Sequence, residues 1–314
     1  MMIAVTGGAG FIGSNLVRGL NLAGYKDIII SDNLKKSEKH LNMNRLEFLD
    51  YVDKGDFLEM FDEIAPQLDV IFHQGACSDT METDGKYMME NNYEYSCALF
   101  NKCIEYNVRF IYASSASVYG NGDNGFAEKR ENEYPLNVYA FSKFIFDNYI
   151  RRYPENVSIQ VAGLRYFNVY GPQENHKGRM ASVIRHFFNQ YREGKEIKVF
   201  EGSREFLRDF IHVDDVVAVN MYLLNNPQVS GIFNCGTGSC RSFGDIADVF
   251  SKRYTDAVIK EIPFPDALKG KYQKYTQADL ANLRKTGCDV QFKSLEDGVN
   301  AYLDVLEKTD GYII

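Results

Sequence analysis

Thr6-Gly7-Gly8-Ala9-Gly10-Phe11-Ile12-Gly13 follows the apolar run Ile3-Ala4-Val5 and opens a stretch, Phe11 to Leu22, whose apolar residues recur at helical spacing. Strand, glycine-rich turn and helix in that order decide the fold. Gly7 permits the tight turn, Gly10 lets the backbone approach a pyrophosphate, and Gly13 lets the helix pack against the sheet. The first amides of the helix then face the anion. Glycines alone also fit any tight strand-to-helix turn. The discriminating partner is Asp32, 19 residues after Gly13 at the end of a second run, Ile28-Ile29-Ile30, where an acceptor for a ribose hydroxyl belongs in a dinucleotide site.

Outward from this unit the rhythm repeats. Val70-Ile71-Phe72, Phe110-Ile111-Tyr112 and Ile159-Gln160-Val161 read as strands, and Phe57 to Ile64 and Tyr87 to Tyr106 as helices. The pattern predicts an α/β fold, a doubly wound parallel sheet of the Rossmann type with ligands at the carboxyl ends of its strands. Past Phe167 the rhythm loosens, with a helix expected near Met180 to Tyr191. We therefore expect a dinucleotide-binding domain over 1–167, to which part of the later chain returns. Residues 168–314 then form mainly a smaller α/β substrate-binding lobe, with the substrate in the cleft between the two.

Composition narrows the partners. Hydrophobic residues make up 45% and charged ones 25%, as in globular chains, and 43 Asp+Glu against 35 Lys+Arg give a net charge of -8. That balance disfavours a nucleic-acid wrapper but leaves room for a local phosphate site. Cys77, Cys97, Cys103, Cys235, Cys240 and Cys288 form no metal-ligand spacing, so no metal is expected and reduced core thiols are. No basic leader and no run of about 18 apolar residues is seen, so a cytoplasmic chain without a membrane partner is expected. Lys35, Lys36, Lys39 and Lys54 lie where they could neutralise a 2′-phosphate, whereas Asp32 favours NAD; charge alone leaves both open.

Tyr139-Ala140-Phe141-Ser142-Lys143 sets a phenol and an ammonium at i and i+4 on a helix expected to begin near Leu136. A free tyrosine has a pKa of about 10, and the adjacent cation is expected to lower it toward the working range of a base. Ser114-Ser115-Ala116-Ser117 ends the strand before it and offers a hydroxyl to the same substrate oxygen.

Glycine loop, acid, serine strand end, Tyr and Lys, in this order, resemble the extended short-chain dehydrogenase/reductase family along nearly the whole chain. Arg165-Tyr166-Phe167-Asn168, Arg208-Asp209-Phe210 and Asn234-Cys235-Gly236-Thr237-Gly238 extend the likeness. The resemblance implies a nicotinamide dinucleotide and a nucleotide-sugar substrate. Members that eliminate water place Asp-Glu after the catalytic hydroxyl residue. Ala116 and Ser117 stand there, and neither can move that proton. Epimerisation or simple reduction remains.

His73 to Thr80, Asp84 to Met89, His176 to Val183 and Phe264 to Tyr272 are similar to one branch of that family, the ADP-heptose 6-epimerases. This resemblance implies interconversion of carbon-6 epimers in lipopolysaccharide precursor synthesis, usually with NADP (NAD being possible), one per subunit, in a homopentamer. It assigns the cofactor to Gly7, Gly10, Phe11, Ile12, Gly13, Asp32, Asn33, Lys39, Lys54, Gln74, Gly75, Ala76, Cys77, Ser78, Asn91, Tyr139, Lys143, Val169 and Lys177, with Cys77 touching through its backbone. Tyr139, assisted by Lys143 and Ser115, serves one epimer and Lys177 the other. Substrate contacts fall on Ser115, Asn168, Arg179, His186, Phe200, Glu201, Gly202, Ser203, Arg208 and Tyr272, with Arg208 for the pyrophosphate. A 4-epimerase or ketoreductase on the same scaffold, needing no Lys177, is the enzymatic alternative. A redox-sensing binding protein would have no need of the Tyr139 and Lys143 pair.

Overall fold

The computed structural model describes residues 1–153, 158–265 and 273–313. The first half runs β1 (Met2–Thr6), α1 (Phe11–Leu22), β2 (Ile28–Asp32), β3 (Asp50–Asp53), α2 (Lys54–Phe57), α3 (Phe61–Ile64), β4 (Leu68–His73), α4 (Gly85–Met89), α5 (Tyr95–Tyr106), β5 (Arg109–Ser115), α6 (Val138–Arg151) and β6 (Val161–Tyr166). The second runs β7 (Asn168–Tyr170), α7 (Val183–Gly194), β8 (Glu196–Phe200), β9 (Leu207–His212), α8 (Val213–Asn225), β10 (Gly231–Cys235), β11 (Cys240–Ser242), α9 (Phe243–Arg253), β12 (Val258–Ile262), α10 (Ala281–Lys285) and α11 (Leu295–Thr309).

Seven strands form one sheet in the order β10-β6-β5-β4-β1-β2-β3, every neighbouring pair parallel. Side chains alternate along a strand, so both faces need cover, which is why these strands read as unbroken apolar runs. Ile3 and Val5 join Leu16 and Leu20 of α1 and Val216, Val219 and Leu223 of α8 on one face. Ala4, Ile29 and Ile71 meet Phe57, Phe61, Leu99, Phe100 and Phe146 on the other. The expected doubly wound sheet is present. Two elements of the later chain, α8 and β10, are built into it. A third core of Ile184, Phe187, Ile197, Phe210, Phe250, Val299 and Tyr302 lies with the smaller sheets, β11-β9-β7 and β12-β8.

Local differences from the sequence reading have physical causes. The expected helix Phe57 to Ile64 is two separate turns, because the Asp53 side chain caps at Gly55 and starts the first turn at Lys54. Phe57 and Phe61 then meet edge to face, 6.1 Å apart. Tyr87 to Tyr106 is helical but interrupted by a π turn, Glu90–Glu94, which swings Asn92 inward. Asn137 and Ser182 accept amides at the starts of α6 and α7, placing those starts slightly later than expected. The last expected strand begins at Val161, not Ile159. Cys103, Cys235 and Cys288 are buried, but Cys77, Cys97 and Cys240 are half-buried, so the thiols are not all core thiols. Among the described residues no helix is long and apolar enough to cross a membrane, and no group of metal-ligating side chains assembles.

Candidate active site

The glycine loop joins β1 to α1 at the carboxyl edge of the sheet. Gly7 has φ +68°, and a Cβ there would lie 2.6 Å from the Gly75 amide. A Cβ on Gly13 would lie 2.1 Å from the Gly7 carbonyl, so the loop itself leaves no room for a side chain there. No side chain caps Gly10, and the first amides of α1 are left for an anion. In the loop after β4, whose backbone packs on Gly7, the buried Gln74 Nε2 has no protein partner, while its Oε1 accepts from the Tyr166 hydroxyl at 3.0 Å. A cradle that admits no Cβ, open amides and an unpartnered amide donor fit a dinucleotide phosphate. When bound, that group supplies the hydride acceptor and donor.

A chain of hydrogen bonds supports the loop from below. His73 Nδ1 lies 2.6 Å from Thr6 Oγ1 and its Nε2 2.8 Å from Ser96 Oγ, which donates to the Asn92 carbonyl at 2.6 Å. Burial first, then Lys143 and Lys54, push the His73 pKa down to about 3, so the ring stays neutral. Asn92 bonds the Cys77 amide at 2.7 Å, the Cys77 carbonyl at 3.0 Å and Ser142 Oγ at 3.1 Å. The Cys77 backbone, expected to touch the cofactor, is therefore held by Asn92. Gly75, Ala76, Cys77 and Ser78 follow β4 in the loop that Asn92 shapes.

Asp32, 7% exposed, ends β2. Its Oδ2 accepts from Ala9 at 3.0 Å, and its Oδ1 from the Asn33 amide at 2.7 Å and Lys39 Nζ at 2.6 Å. The expected ribose acceptor is thus already tied to the glycine loop and neutralised by Lys39. Lys54 starts α2, donates to Asn91 Oδ1 and lies 4.6 Å over the Tyr95 ring. Burial, then Lys35, lowers its pKa.

Tyr139 and Lys143 lie on α6, facing the end of β5. Ser115 Oγ accepts from the Ser117 hydroxyl at 2.9 Å, and Ser115 stands beside Tyr139. Here the structure corrects one expectation. Burial raises the Tyr139 pKa, and it is Ser115, not Lys143, that opposes the rise. The Lys143 ammonium donates to the Ala113 carbonyl at 2.8 Å. A shared helix face does not fix where a four-carbon stem ends.

Burial lowers the Lys143 pKa from 10.5 to about 8, against the pull of Asp147. Between those values the unfolded chain holds more protons than the folded one, so stability rises with pH across this window. Lys143→Met removes that dependence. Its stability relative to the native chain is expected to be greatest near neutrality and to shrink by about 3 kcal/mol by pH of about 10. Urea unfolding at the two pH values measures it, and a constant difference would contradict the burial cost.

The second half contributes the segment Asn175–Met180. Lys177 Nζ lies 4.9 Å over the Phe11 ring and 3.8 Å from Glu174 Oε2, its side chain 20% exposed. Burial lowers its pKa and Glu174 opposes the shift. Lys36 Nζ donates to the His176 carbonyl at 2.9 Å, and Arg179 pairs with Asp79 at 2.7 Å. The segment therefore spans from the loop after β2 to the loop after β4. His186 of α7 lies 3.3 Å from the Arg179 carbonyl.

Other expected contacts are placed less closely. Asn168 and Val169 open β7, with Asn168 exposed. Phe200 to Ser203 is a turn closed by the Ser203 amide on the Phe200 carbonyl at 2.9 Å, with Ser203 buried and Glu201 and Gly202 exposed. Buried Arg208 donates to the carbonyls of Leu207 and Gln273 and faces the Phe243 ring at 5.8 Å. Tyr272 lies outside the described residues.

Sequence reading missed Asn92, Asp147 and Glu174. Asn91-Asn92 inside an apolar-periodic helix was the one available signal, since asparagine is a poor interior helix former.

Residues 3–236 match the NAD dependent epimerase/dehydratase family. The chain is 60% identical over 318 residues to an ADP-L-glycero-D-manno-heptose-6-epimerase of Brachyspira hyodysenteriae, covering 100% of both. It is 53% identical over 312 residues to one of Alkalilimnicola ehrlichii, covering 97% of both. Among solved structures, the Helicobacter pylori enzyme of the same name superposes with a TM-score of 0.84 at 30% identity, over 98% of this chain and 96% of that one. A Thermotoga maritima UDP-glucose 4-epimerase with UDP-glucose gives 0.82 at 30% identity, over 98% and 99%. The resemblance drawn from the motifs is borne out, and the chain belongs to the NAD dependent epimerase/dehydratase family.

Proposed function

We propose that the protein interconverts ADP-D-glycero-β-D-manno-heptose and ADP-L-glycero-β-D-manno-heptose by transient oxidation and re-reduction at carbon 6, in lipopolysaccharide core precursor synthesis. Similarity over the full length to chains of that name supports the reaction. The observation that carries the mechanism is a second lysine, Lys177, supplied by the other half of the chain from Tyr139 and lying over Phe11 at the end of the glycine loop. A ketone that turns its other face to one nicotinamide puts its oxygen in a new place, and a second proton donor must stand there. Tyr139, with Ser115 beside it, moves the proton for one epimer and Lys177 for the other. Lys143 keeps positive charge at the end of β5.

Incubation with ADP-D-glycero-D-manno-heptose, followed by NMR at carbon 6, tests the reading. Inversion is expected; no inversion, with turnover of a 4-epimerase substrate, would sink it.

The cofactor within this reading is NADP. Lys39 cancels the Asp32 charge that would repel a 2′-phosphate, and Lys54 adds a second cation nearby. Lys39→Met is expected to weaken NADP relative to NAD by roughly tenfold to a hundredfold, the worth of one charge-assisted hydrogen bond. Competitive binding of the two dinucleotides measures the ratio, and an unchanged preference would remove Lys39 from the site.

A further inference from the structure

Glu174 is a carboxylate with no access to solvent, placed just before the segment that carries Lys177. Carboxylates are rarely buried without dedicated partners. Here Oε2 accepts from the Ser182 amide at 2.8 Å, and Oε1 accepts from the Ser182 hydroxyl and from the Tyr302 hydroxyl at 3.0 Å. Tyr302 is itself fully buried on α11. Three donors, two from Ser182 just before α7 and one from α11, thus fix the carboxylate. The Lys177 ammonium, 3.8 Å from Oε2, is the charge it faces.

We propose that Glu174 is a positioning residue for the reaction, holding the Lys177 ammonium at the cleft in the orientation from which it exchanges a proton with the substrate. The inference rests on the reading of Lys177 as the second acid and base. The carboxylate is anchored from the second half of the chain, while the Lys177 ammonium it faces lies over Phe11 of the first. The other charged groups around the pair are few. His176 adjoins Lys177, with Lys36 and Lys39 facing it from the loop after β2. Arg185 and Asp310 lie beyond Tyr302. Arg179, two residues on, is already paired with Asp79. Glu174 is the carboxylate in direct contact, and its charge favours the protonated amine.

The test uses the holoenzyme and single-turnover oxidation of each ADP-heptose epimer, followed by absorbance of the reduced nicotinamide across pH. Lys177→Met first identifies the epimer that Lys177 serves, as the one whose oxidation is lost. In Glu174→Gln, the rise of that oxidation with pH is expected to move to lower pH by about one unit, since an opposite charge at this range is worth that much. Oxidation of the other epimer should keep its native profile. Ser182→Ala and Tyr302→Phe loosen the anchoring but keep the charge, and should leave both profiles in place. A profile in Glu174→Gln that superimposes on the native one, or moves equally for both epimers, overturns the proposal. If Glu174→Gln does not fold, Glu174→Asp keeps the charge but withdraws it from Lys177 by one methylene; the same profile should then move to lower pH by only part of that shift, and a superimposed profile overturns the proposal. Full epimerase activity in Lys177→Met would instead overturn the second-base reading. Loss in Lys177→Met with an unmoved Glu174→Gln profile overturns only the role of Glu174.

Discussion

Lys177→Met is expected to slow interconversion of the heptose epimers by about a hundredfold to ten-thousandfold, the usual worth of one positioned acid or base. Folding should survive, because the side chain is 20% exposed and its ion pair with Glu174 is 3.8 Å long. Tyr139→Phe should cause a loss of the same order while disabling the opposite partial reaction. Tyr139 stands beside Ser115 at the end of β5, far along the chain from the segment that carries Lys177. The measurement is epimer ratio by NMR together with single-turnover reduction of the bound dinucleotide. Two lesions that each spare the other's half-reaction are the signature of two separate proton sites. Full activity of Lys177→Met, or loss of both half-reactions in each variant, would contradict it.

Asp147→Ala is expected to destabilise the protein by about 3 to 5 kcal/mol, the cost of stripping one partner from a buried ion pair. Asp147 Oδ2 accepts from Arg165 Nε at 2.9 Å and Nη2 at 2.8 Å, and from Ser114 Oγ at 3.0 Å. Its Oδ1 accepts from the Tyr112 hydroxyl at 3.0 Å. Arg165 and Asp147 are both fully buried. Glu133 also pairs with Arg165 and with Arg151, which keeps the loss toward the lower end of the range. Four donors on β5 and β6 converge on one side chain of α6, so the change also frees the helix that bears Tyr139 and Lys143. Urea unfolding measures the stability term, and an unchanged midpoint would mean the cluster relaxes without cost.

Much of this arrangement was readable from residue order, and the remainder depends on what order does not encode. The turn at Gly7, the end of β2 at Asp32 and the face shared by Tyr139 and Lys143 follow from local steric and helical rules. Where the Lys143 ammonium lands does not, because its stem spans the distance to Ala113 as readily as to the phenol. The two lysines turn out to be treated alike: each has a carboxylate about one turn away, Asp147 for Lys143 and Glu174 for Lys177. Neither pairing stood out in the chain, because Asp and Glu one turn from Lys are common on solvated faces and only burial separates these from the rest. The π turn was likewise hidden, since the spacing of apolar residues survives a single added residue.

The return of α8 and β10 to the first sheet has a bearing on modularity. A chain severed between β6 and β7 would leave Arg165 on a bare sheet edge where Asn234 now pairs, and Leu16 and Leu20 of α1 without the leucines and valines of α8. Open edges and uncovered apolar stripes favour self-association over folding. The boundary between the first half of the chain and the second is therefore crossed more than once by the backbone. Exchanging the smaller lobe between related chains at one junction would carry away part of the foundation under the glycine loop, so a workable chimera must transplant the lobe as interrupted pieces around α8 and β10.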